Sequence, residues 1–557
     1  MSMRTAIVIL LLALFAGTAG AFQIVAFCPD TYLTGEPDEY FVLEGSGSPG
    51  GIEVTDGEGS VRFPEGSTVN GRVVVAREAA GYLRAHGSLP DYEVVGTDAT
   101  VPDMLRRGDF RLANQKDSIT LIVGGAVVQE VGWPEDVAAR QGQVHTLVDG
   151  GWDPRPFFIG QSDFAPRTFE NVTVTLFVSP DCSYEVLSEA VASARERIDV
   201  NVYEFTHPGI AEMLAGAAGR GVDVSVLVEG GPVGGISAEE KGVARMLADH
   251  GVTVMMMETA GDAHARYRFD HAKYMVVDGR GVLVTSENFK ESGIPETGEW
   301  GNRGWGAWVE DAGVAGYFAE VYRADCTGGD IVPAPQGGGL AETGGGGYEV
   351  RFAPETVHGA RVTPVLAPDT SGLVRQMIAG AEERVLIEQA YITNSTVGGA
   401  NRYLAEAINA SRRGVAVQVL LDSAWFNVEG EKDNDEMAAW INGLARREGI
   451  PMEARCIDLA AAGLEKVHTK GVVVDNRSVL VSSINWNDNS PDFNREAGVI
   501  IEHPAAAAYF ARTFAADWEA GTRAGGDAGF DYRIIAALGV VVLFAAVYVA
   551  RRVLWEG

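Results

Sequence analysis

The stretch Phe269-Asp-His-Ala-Lys-Tyr-Met-Val-Val-Asp278 has a second copy near the C-terminus, Lys466-Val-His-Thr-Lys-Gly-Val-Val-Val-Asp475. Both copies fit the pattern His-x-Lys-x-x-x-x-Asp, and both are followed at the same distance by Ser-x-Asn. The chain has only seven lysines among 557 residues, so two chance copies that each place one two residues after the histidine are improbable. The pair therefore predicts a duplicated structural unit.

The sequence around the two motifs repeats as well. Val172-Thr-Val-Thr-Leu-Phe-Val-Ser-Pro-Asp181 resembles Arg361-Val-Thr-Pro-Val-Leu-Ala-Pro-Asp369, and predicted strands and helices then alternate in the same order in each half. Such alternation is typical of an α/β fold in which helices cover a sheet. We expect two α/β half-domains related by a pseudo-twofold axis, at residues 165–326 and 348–525, joined by a Gly-rich linker at 327–347.

Residues 22–150 have the pattern of an all-β domain. Short runs of β-branched and aromatic residues at 40–43, 72–76 and 118–123 lie between turns rich in Gly and Pro, which predicts a β-sandwich. The segments Asp38-Glu-Tyr-Phe-Val-Leu-Glu44 and Leu112-Ala-Asn-Gln-Lys-Asp-Ser-Ile-Thr-Leu121 are similar to those of lamin-tail domains. That resemblance implies an immunoglobulin-like sandwich that binds or positions a partner.

The two ends of the chain predict a membrane-bound protein. Residues 1–21 have a basic start, an apolar core and a small-residue cleavage site, as in a signal peptide. Residues 534–550 form an unbroken apolar run followed by Arg551-Arg552, which favours one transmembrane helix with a cytoplasmic C-terminus. We therefore expect a single-pass type I protein of the cell membrane with nearly the whole chain on the extracytoplasmic side, where its four cysteines can form one or two disulfides.

The net charge of −32 argues against extensive nucleic-acid wrapping, which requires Lys and Arg to neutralise phosphates. An acidic surface also keeps a protein soluble, and this is sufficient to account for the charge.

The duplicated motif places matched side chains on one face of each half. Residues two apart on a strand point the same way, which holds both for His-x-Lys and for Ser-x-Asn. The two sets are His271, Lys273, Ser286 and Asn288, and His468, Lys470, Ser483 and Asn485. If the halves meet, the Lys and Asn donors can bind the oxygens of a phosphoryl group, while one His attacks and the other transfers protons. The sequence predicts no metal site and no cofactor.

The duplicated motif, with its Ser-x-Asn segments, resembles that of the phospholipase D superfamily in its two-copy form. The resemblance spans about residues 165–525 and implies a bilobal α/β fold and phosphodiester chemistry. It makes His271 the nucleophile and His468 the general acid and then base. The family often adds an acidic residue that orients each histidine. Glu496 in Asn494-Arg-Glu fits this role, whereas the first half has Gly304 at that place, so Glu299, at the same distance from its histidine, is the substitute.

Two further acidic residues, Asp278 and Asp475, end the motifs on the opposite strand face, where we expect them to have a structural role. The sequence also departs from the family at the Gly that usually precedes Ser-x-Asn, which is Thr285 in one half and Ser482 in the other.

Three functions remain open from the sequence. The first is phospholipid hydrolysis or phosphatidyl transfer, as in phospholipase D or cardiolipin synthase, and the membrane helix favours it. The second is an extracellular, metal-independent nuclease of the same superfamily. The third is a binding protein without activity, which two intact motifs disfavour. Aromatic residues near the motifs, such as Trp305 and Trp425, suit a lipid cleft, base stacking or simple core packing.

Overall fold

The computed structural model describes residues 22–133, 140–148, 150–153, 155–341, 346–395, 398–429, 433–520 and 523–524. The predicted signal peptide and the predicted transmembrane helix at 534–550 lie outside these residues and stay predictions. Within the described ranges, no helix is both long enough and apolar enough to cross a membrane.

The N-terminal region is β-rich, as predicted. Its elements are strands β1 (Gln23–Cys28), β2 (Tyr40–Gly47), β3 (Ile52–Thr55), β4 (Gly59–Arg62), β5 (Val69–Ala76), β6 (Tyr92–Glu93), β7 (Leu105–Gly108), β8 (Asp117–Val123), β9 (Ala126–Trp133), β10 (Gln143–Val148), β11 (Gly151–Trp152) and β12 (Phe157–Phe158), and helix α1 (Ala79–His86).

Two sheets share one core in this region. The first has the order β11-β10-β1-β2-β5-β6, with β12 paired to β10, and the second has the order β7-β4-β3-β8-β9. Phe41 and Leu43 of the first sheet pack in one cluster with Val54 and Leu121 of the second. Helix α1 was not predicted, and it is capped after His86 by Gly87, whose φ of 72° suits glycine. The resemblance to lamin-tail domains stays a prediction.

The first of the two repeated halves alternates strands and helices. It contains β13 (Phe169–Ser179), α2 (Ser183–Ser193), β14 (Arg197–Val202), α3 (Pro208–Gly219), β15 (Asp223–Glu229), α4 (Ala238–Asp249), β16 (Thr253–Met257), β17 (Lys273–Val277), β18 (Gly281–Thr285), β19 (Gly304–Glu310), α5 (Ala312–Asp325) and β20 (Ile331–Pro333).

The second half has the same order of main elements. It contains β21 (Glu355–Ala367), α6 (Gly372–Ala379), β22 (Arg384–Gln389), α7 (Arg402–Arg412), β23 (Ala416–Leu421), a 3-10 turn (Trp425–Asn427), α8 (Asn434–Glu448), β24 (Met452–Cys456), α9 (Leu459–Ala462), β25 (Lys470–Val474), β26 (Ser478–Ser482), α10 (Ser490–Phe493), β27 (Glu496–Glu502), α11 (Pro504–Glu519) and β28 (Arg523–Ala524).

The two halves share one 16-stranded sheet whose order is symmetric about its centre: β20-β16-β15-β14-β17-β18-β19-β13-β21-β27-β26-β25-β22-β23-β24-β28. The antiparallel pair β13 and β21 lies at the middle, so each half continues the sheet of the other. The predicted duplication is confirmed. Part of the predicted Gly-rich linker at 327–347 is a strand, because β20 lies within it and pairs with β16 at the sheet edge.

Two buried arginines tie the halves together. Arg303 binds Asp181 of its own half and Asp517 of the other, with nitrogen–oxygen distances of 2.6 Å and 2.7 Å. Arg495 likewise binds Asp369 at 2.8 Å and, across the interface, Asp325 at 2.9 Å. Each guanidinium faces two carboxylates, which is the pairing that a buried charge requires.

The cysteines do not form the expected disulfides. All four are free thiols: Cys28 lies in β1 and Cys456 in β24, while Cys182 directly precedes α2 and Cys326 directly follows α5. Burial raises the pKa of each of them, so in this structure they behave as inert packing residues.

Candidate active site

The two motifs meet at corresponding strand ends, not along the strands as expected. Strand β17 begins at Lys273 and β18 ends at Thr285, so His271 comes just before the hairpin and Ser286 just after it. Strands β25 and β26 repeat this arrangement between His468 and Ser483. Because both ends of a hairpin lie together, each histidine is near the Ser-x-Asn segment of its own half.

At each motif histidine, a backbone hydrogen bond to the opposite half takes the place of strand pairing. The N–H of His271 donates to the carbonyl of Arg495 at 2.8 Å, and the N–H of His468 donates to the carbonyl of Arg303 at 2.8 Å. These acceptors are the buried arginines that link the halves. The ion-pair network therefore fixes the backbone position of both histidines, and neither half forms the site alone.

The first histidine has a carboxylate partner from the other half. His271 Nδ1 lies 2.8 Å from Glu496 Oε2, and Glu496 is fully buried. Ser483 donates to the same oxygen at 2.6 Å, while Asn494 donates to Oε1 at 3.0 Å. Glu496 is thus close to a motif histidine, as proposed from the sequence, but that histidine belongs to the other half.

The second histidine faces Glu287, a residue that the sequence analysis missed. His468 Nδ1 lies 3.3 Å from Glu287 Oε1, although the alignment falls short of a hydrogen bond. The carboxylates beside the two histidines are thus Glu496 and Glu287. The backbone of Glu299 pairs with Gly347, and its charge acts on the pKa of Glu291. The sequence signal for Glu287 was its position inside Ser286-Glu-Asn288, in the half that lacks a carboxylate at Gly304.

The two lysines are buried beside the histidines. Lys273 Nζ donates to the carbonyl of His271, and Lys470 Nζ donates to the carbonyl of His468, both at 2.6 Å. Lys273 also lies 5.2 Å from the ring centre of Tyr203, a cation–π contact. Burial lowers the pKa of Lys273 to about 8, and it lowers that of Lys470 well below the ordinary value.

The Ser-x-Asn segments supply support and further polar groups. Ser286 accepts the N–H of Trp305 at 3.1 Å, and Ser483 accepts the N–H of Ala497 at 3.0 Å, so both serines fix the neighbouring strand. Asn288 donates to Glu204 at 2.8 Å. The Oδ1 atoms of Asn288 and Asn485 have no hydrogen-bond partner. The serines therefore hold the site, and the two amide oxygens remain able to accept a hydrogen bond.

The two motif aspartates point away from this cluster and bind backbone. Asp278 accepts the N–H groups of Arg195, Glu196 and Arg197 at 2.9, 2.8 and 2.9 Å. Asp475 accepts those of residues 382, 383 and 384 at 2.9, 2.8 and 3.0 Å. Each carboxylate anchors the turn before the strand that pairs with its own hairpin, which is a structural role.

The electrostatics give His271 the state that a nucleophile needs. Burial raises the pKa of Glu496, but His271 and Lys273 outweigh it, so the net pKa lies below the ordinary value and Glu496 is ionised. Burial lowers the pKa of His271, which is therefore neutral near pH 7. An ionised carboxylate only accepts hydrogen bonds, so Nδ1 of His271 carries the proton and Nε2 has a free lone pair.

His468 is in a more positive environment. Burial and the charges of Lys470, Lys466 and Lys273 lower its pKa well below the ordinary value. Burial raises the pKa of Glu287 to about 7. A bound phosphodiester brings negative charge, which favours the protonated form of His468. With such a ligand bound, His271 would be neutral and His468 would be able to donate a proton.

The comparisons with known proteins agree with this duplicated site. A family model described as "Cardiolipin synthase, PLD-like domain" matches residues 187–322 and 374–518, about half of the chain. The chain belongs to the phospholipase D-like family. Both matched segments contain one complete His-x-Lys motif of this phospholipase D-like chain.

Several solved structures are similar to this phospholipase D-like chain. Phosphatidylserine synthase from Haemophilus influenzae Rd KW20 has 14% identity and a TM-score of 0.47, over 63% of this chain and 89% of that chain. Nuc, a phospholipase D family member from Salmonella typhimurium, has 19% identity and a TM-score of 0.25, over 31% of this chain and 100% of that chain. NucT from Helicobacter pylori has 18% identity and a TM-score of 0.25, over 30% of this chain and 100% of that chain. No curated protein matches this chain significantly.

Proposed function

We propose that this protein is a phosphodiesterase that works through a phosphohistidine intermediate. The observation that carries the proposal is the crosswise pairing at the interface: neutral His271 is held by Glu496, and His468 lies beside Glu287. The charges of the two histidines and two lysines act on one another across the interface, and each half adds the asparagine of its Ser-x-Asn segment. Such an arrangement suits in-line displacement at phosphorus, with donors for its oxygens.

The reaction has two displacements. Nε2 of His271 attacks phosphorus, the bond from phosphorus to the leaving oxygen breaks, and His468 donates a proton to that oxygen. A water or an alcohol then gives its proton to His468 and attacks phosphorus, the phosphorus–nitrogen bond breaks, and His271 is released. Lys273 and Lys470 stabilise charge on the non-bridging oxygens throughout. Water as acceptor gives hydrolysis, and a lipid alcohol gives phosphatidyl transfer.

We infer that the substrate is a phospholipid. Three exposed apolar side chains lie on corresponding loops after β15 and β23: Val233 is 80% exposed, Trp425 69% and Phe426 52%. The N–H of Val233 donates to the hydroxyl of Tyr203, whose ring centre lies 4.7 Å from that of His271. Lys466, two residues before His468, lies 5.8 Å from the ring centre of Phe426. Apolar groups beside the reacting residues suit the acyl region of a lipid, and the matching family model is described as a cardiolipin synthase domain.

A location at the membrane is part of the same proposal. The segments at 1–21 and 534–550 predict an anchored protein with single-pass type I topology and its active site on the extracytoplasmic side. An anchor would keep the site at the surface where its substrate is concentrated.

A metal-independent nuclease is the second candidate. Phe426 with Lys466 beside it, and Trp425 next to it, offer an aromatic face and a cation, which is the combination that binds unpaired bases and their phosphates. The net charge of −32 disfavours this candidate at long range.

The purified full chain should be assayed side by side with labelled phosphatidylglycerol vesicles, single-stranded DNA and double-stranded DNA, with EDTA in each. We expect release or transfer of the phosphatidyl group, unchanged by EDTA and abolished in His271→Ala. Cleavage of DNA alone would support the nuclease. Loss of all activity in EDTA would contradict the mechanism.

A further inference from the structure

The two halves of the site have the same local framework at Asn302-Arg-Gly304 and Asn494-Arg-Glu496. Strands β19 and β27 begin at Gly304 and Glu496, and the arginine before each is buried in its pair of aspartates. Asn302 and Asn494 each donate to a glutamate at 3.0 Å. The glutamate is Glu496 in one half and Glu287 in the other, so the acceptor is kept while its place in the sequence changes.

The side chain of Glu287 packs directly against Gly304, so a side chain at position 304 would have no room. A Cβ atom on Gly304 would lie 2.4 Å from both Cγ and Oε1 of Glu287. Glu287 therefore fills the space in which a side chain at position 304 would begin. In the second half the same two positions are Ile484, between Ser483 and Asn485, and Glu496. The second half thus has isoleucine and glutamate at the two positions where the first half has glutamate and glycine.

The two glutamates also share the kinds of partner that they contact. Each is buried, and each faces the histidine of the other half, the serine of its own Ser-x-Asn and the asparagine of its own Asn-Arg segment. The contacts of Glu287 are longer: 3.3 Å to His468 and 3.4 Å to Ser286, against 2.8 Å and 2.6 Å for Glu496 with His271 and Ser483. The carboxylate reaches the same environment from another backbone position.

We propose that Glu287 is the positioning residue of His468 and that it replaces a carboxylate missing at position 304. This inference rests on the proposed function, because His468 matters through its proton transfer. Glu287 sets which nitrogen of His468 carries the proton and directs its ring toward the leaving oxygen. The charged and titratable groups that face Glu287 are His468, Lys470, Lys466 and Lys273.

An exchange of the two positions tests this proposal. We expect Glu287→Gln to lower kcat about 100-fold, within the range that a positioned proton donor contributes, with little change in KM. Glu287→Ile should lower kcat at least as much. The double variant Glu287→Ile with Gly304→Glu copies the second half and should recover at least about tenfold of that loss. Glu299→Gln, a matched charge removal in the loop beside Gly347, should keep the wild-type kcat.

Nitrogen NMR of the full chain, labelled on its nine histidines, separates this proposal from the proposed function because it needs no substrate. The signals of His468, assigned by their loss in His468→Asn, should move in Glu287→Gln and return in the double variant, while those of His271 stay. Unchanged His468 signals and a wild-type kcat in Glu287→Gln would overturn the proposal. A wild-type protein without phosphodiesterase activity, but with the expected NMR shifts, would overturn only the proposed function.

Discussion

The two catalytic halves have the same topology but hold their histidines differently. His271 has a short, aligned contact with Glu496, whereas His468 has a longer contact with Glu287, which lies at a different place in the repeat. The lysines, serines, asparagines, buried arginines and their aspartates all correspond between the halves. The difference teaches that the duplicated site preserves the position of a chemical group and not the residue that supplies it.

The crosswise arrangement makes each half dependent on the other. The backbone of each histidine is held by an arginine carbonyl from the opposite half, and its ring faces a carboxylate from there. A change at one motif therefore acts on the partner histidine as well. The predictions below separate what the halves share from what distinguishes them.

Removal of either histidine should produce the largest effect, because the proposed mechanism uses both in one reaction. We expect His271→Ala and His468→Ala each to lower kcat/KM at least about 10⁴-fold, and the double variant to be little worse than either single variant. Steady-state kinetics on phosphatidylglycerol vesicles measures this. Losses that multiply in the double variant would show that the halves act independently.

Removal of a buried arginine should destabilise the protein to the same extent in both halves. Arg303→Met or Arg495→Met leaves two buried carboxylates without their cation, and we expect a loss of about 3–5 kcal/mol in the free energy of unfolding. Urea unfolding measures the loss. The control is Arg280→Met, which removes a half-exposed ion pair with Asp278 and should cost less than about 1 kcal/mol. A loss as small as the control in either arginine variant would contradict the role of the network.

The pH dependence of kcat/KM should distinguish the two glutamates. On a p-nitrophenyl phosphodiester, whose leaving group needs no proton from His468, activity should fall below the pKa of His271, because the proposed mechanism requires neutral His271 to attack. Burial places that pKa under its ordinary value. Activity should also fall as pH rises through about 8, where Lys273 loses its charge. Glu496 raises the pKa of His271, so Glu496→Gln should move the acid limb to lower pH, and Glu287→Gln should leave that limb in place. Equal shifts in the two variants would contradict the assignment of one glutamate to each histidine.

The exposed apolar loops should have the smallest effect, because they contact no reacting atom. We expect Trp425→Ser with Phe426→Ser to raise KM on phosphatidylglycerol vesicles about tenfold, while kcat on a soluble short-chain phosphodiester stays within about twofold. Steady-state kinetics on the two substrates measures the difference. An equal loss on the soluble substrate would show that the loops support the fold instead of contacting lipid.

Much of the fold was predictable because short-range sequence patterns reveal the repeat. Alternation of strands and helices, Gly at the ends of α3 and α7, and the His-x-Lys spacing are all short-range signals. Helix α1 was missed because its Ala- and Gly-containing stretch lies among strong β segments. The starts of β17 at Lys273 and of β25 at Lys470 were also missed. The backbone hydrogen bonds made just before these lysines are to the other half, so neighbouring sequence does not reveal them.

The carboxylate of the second histidine could not be found by matching distances along the sequence. Asn288 and Asn302 are further apart than Asn485 and Asn494, so a search at a fixed distance from the histidine reached Glu299. The contact between Glu287 and His468 joins residues far apart in the chain, and only the packing of the two halves creates it. An acidic residue next to Ser286, in the half with Gly304, was the one available clue.

The most direct test of the central claim is to trap the covalent intermediate. A phosphodiester with p-nitrophenol as leaving group needs no proton donor for the first step, so His468→Ala should form the intermediate and resolve it slowly. After an alkaline quench, peptide mass spectrometry should locate the phosphorus adduct on His271, and it should be absent from His271→Ala. An adduct on His468, or turnover of this substrate without any adduct on His271, would contradict the account.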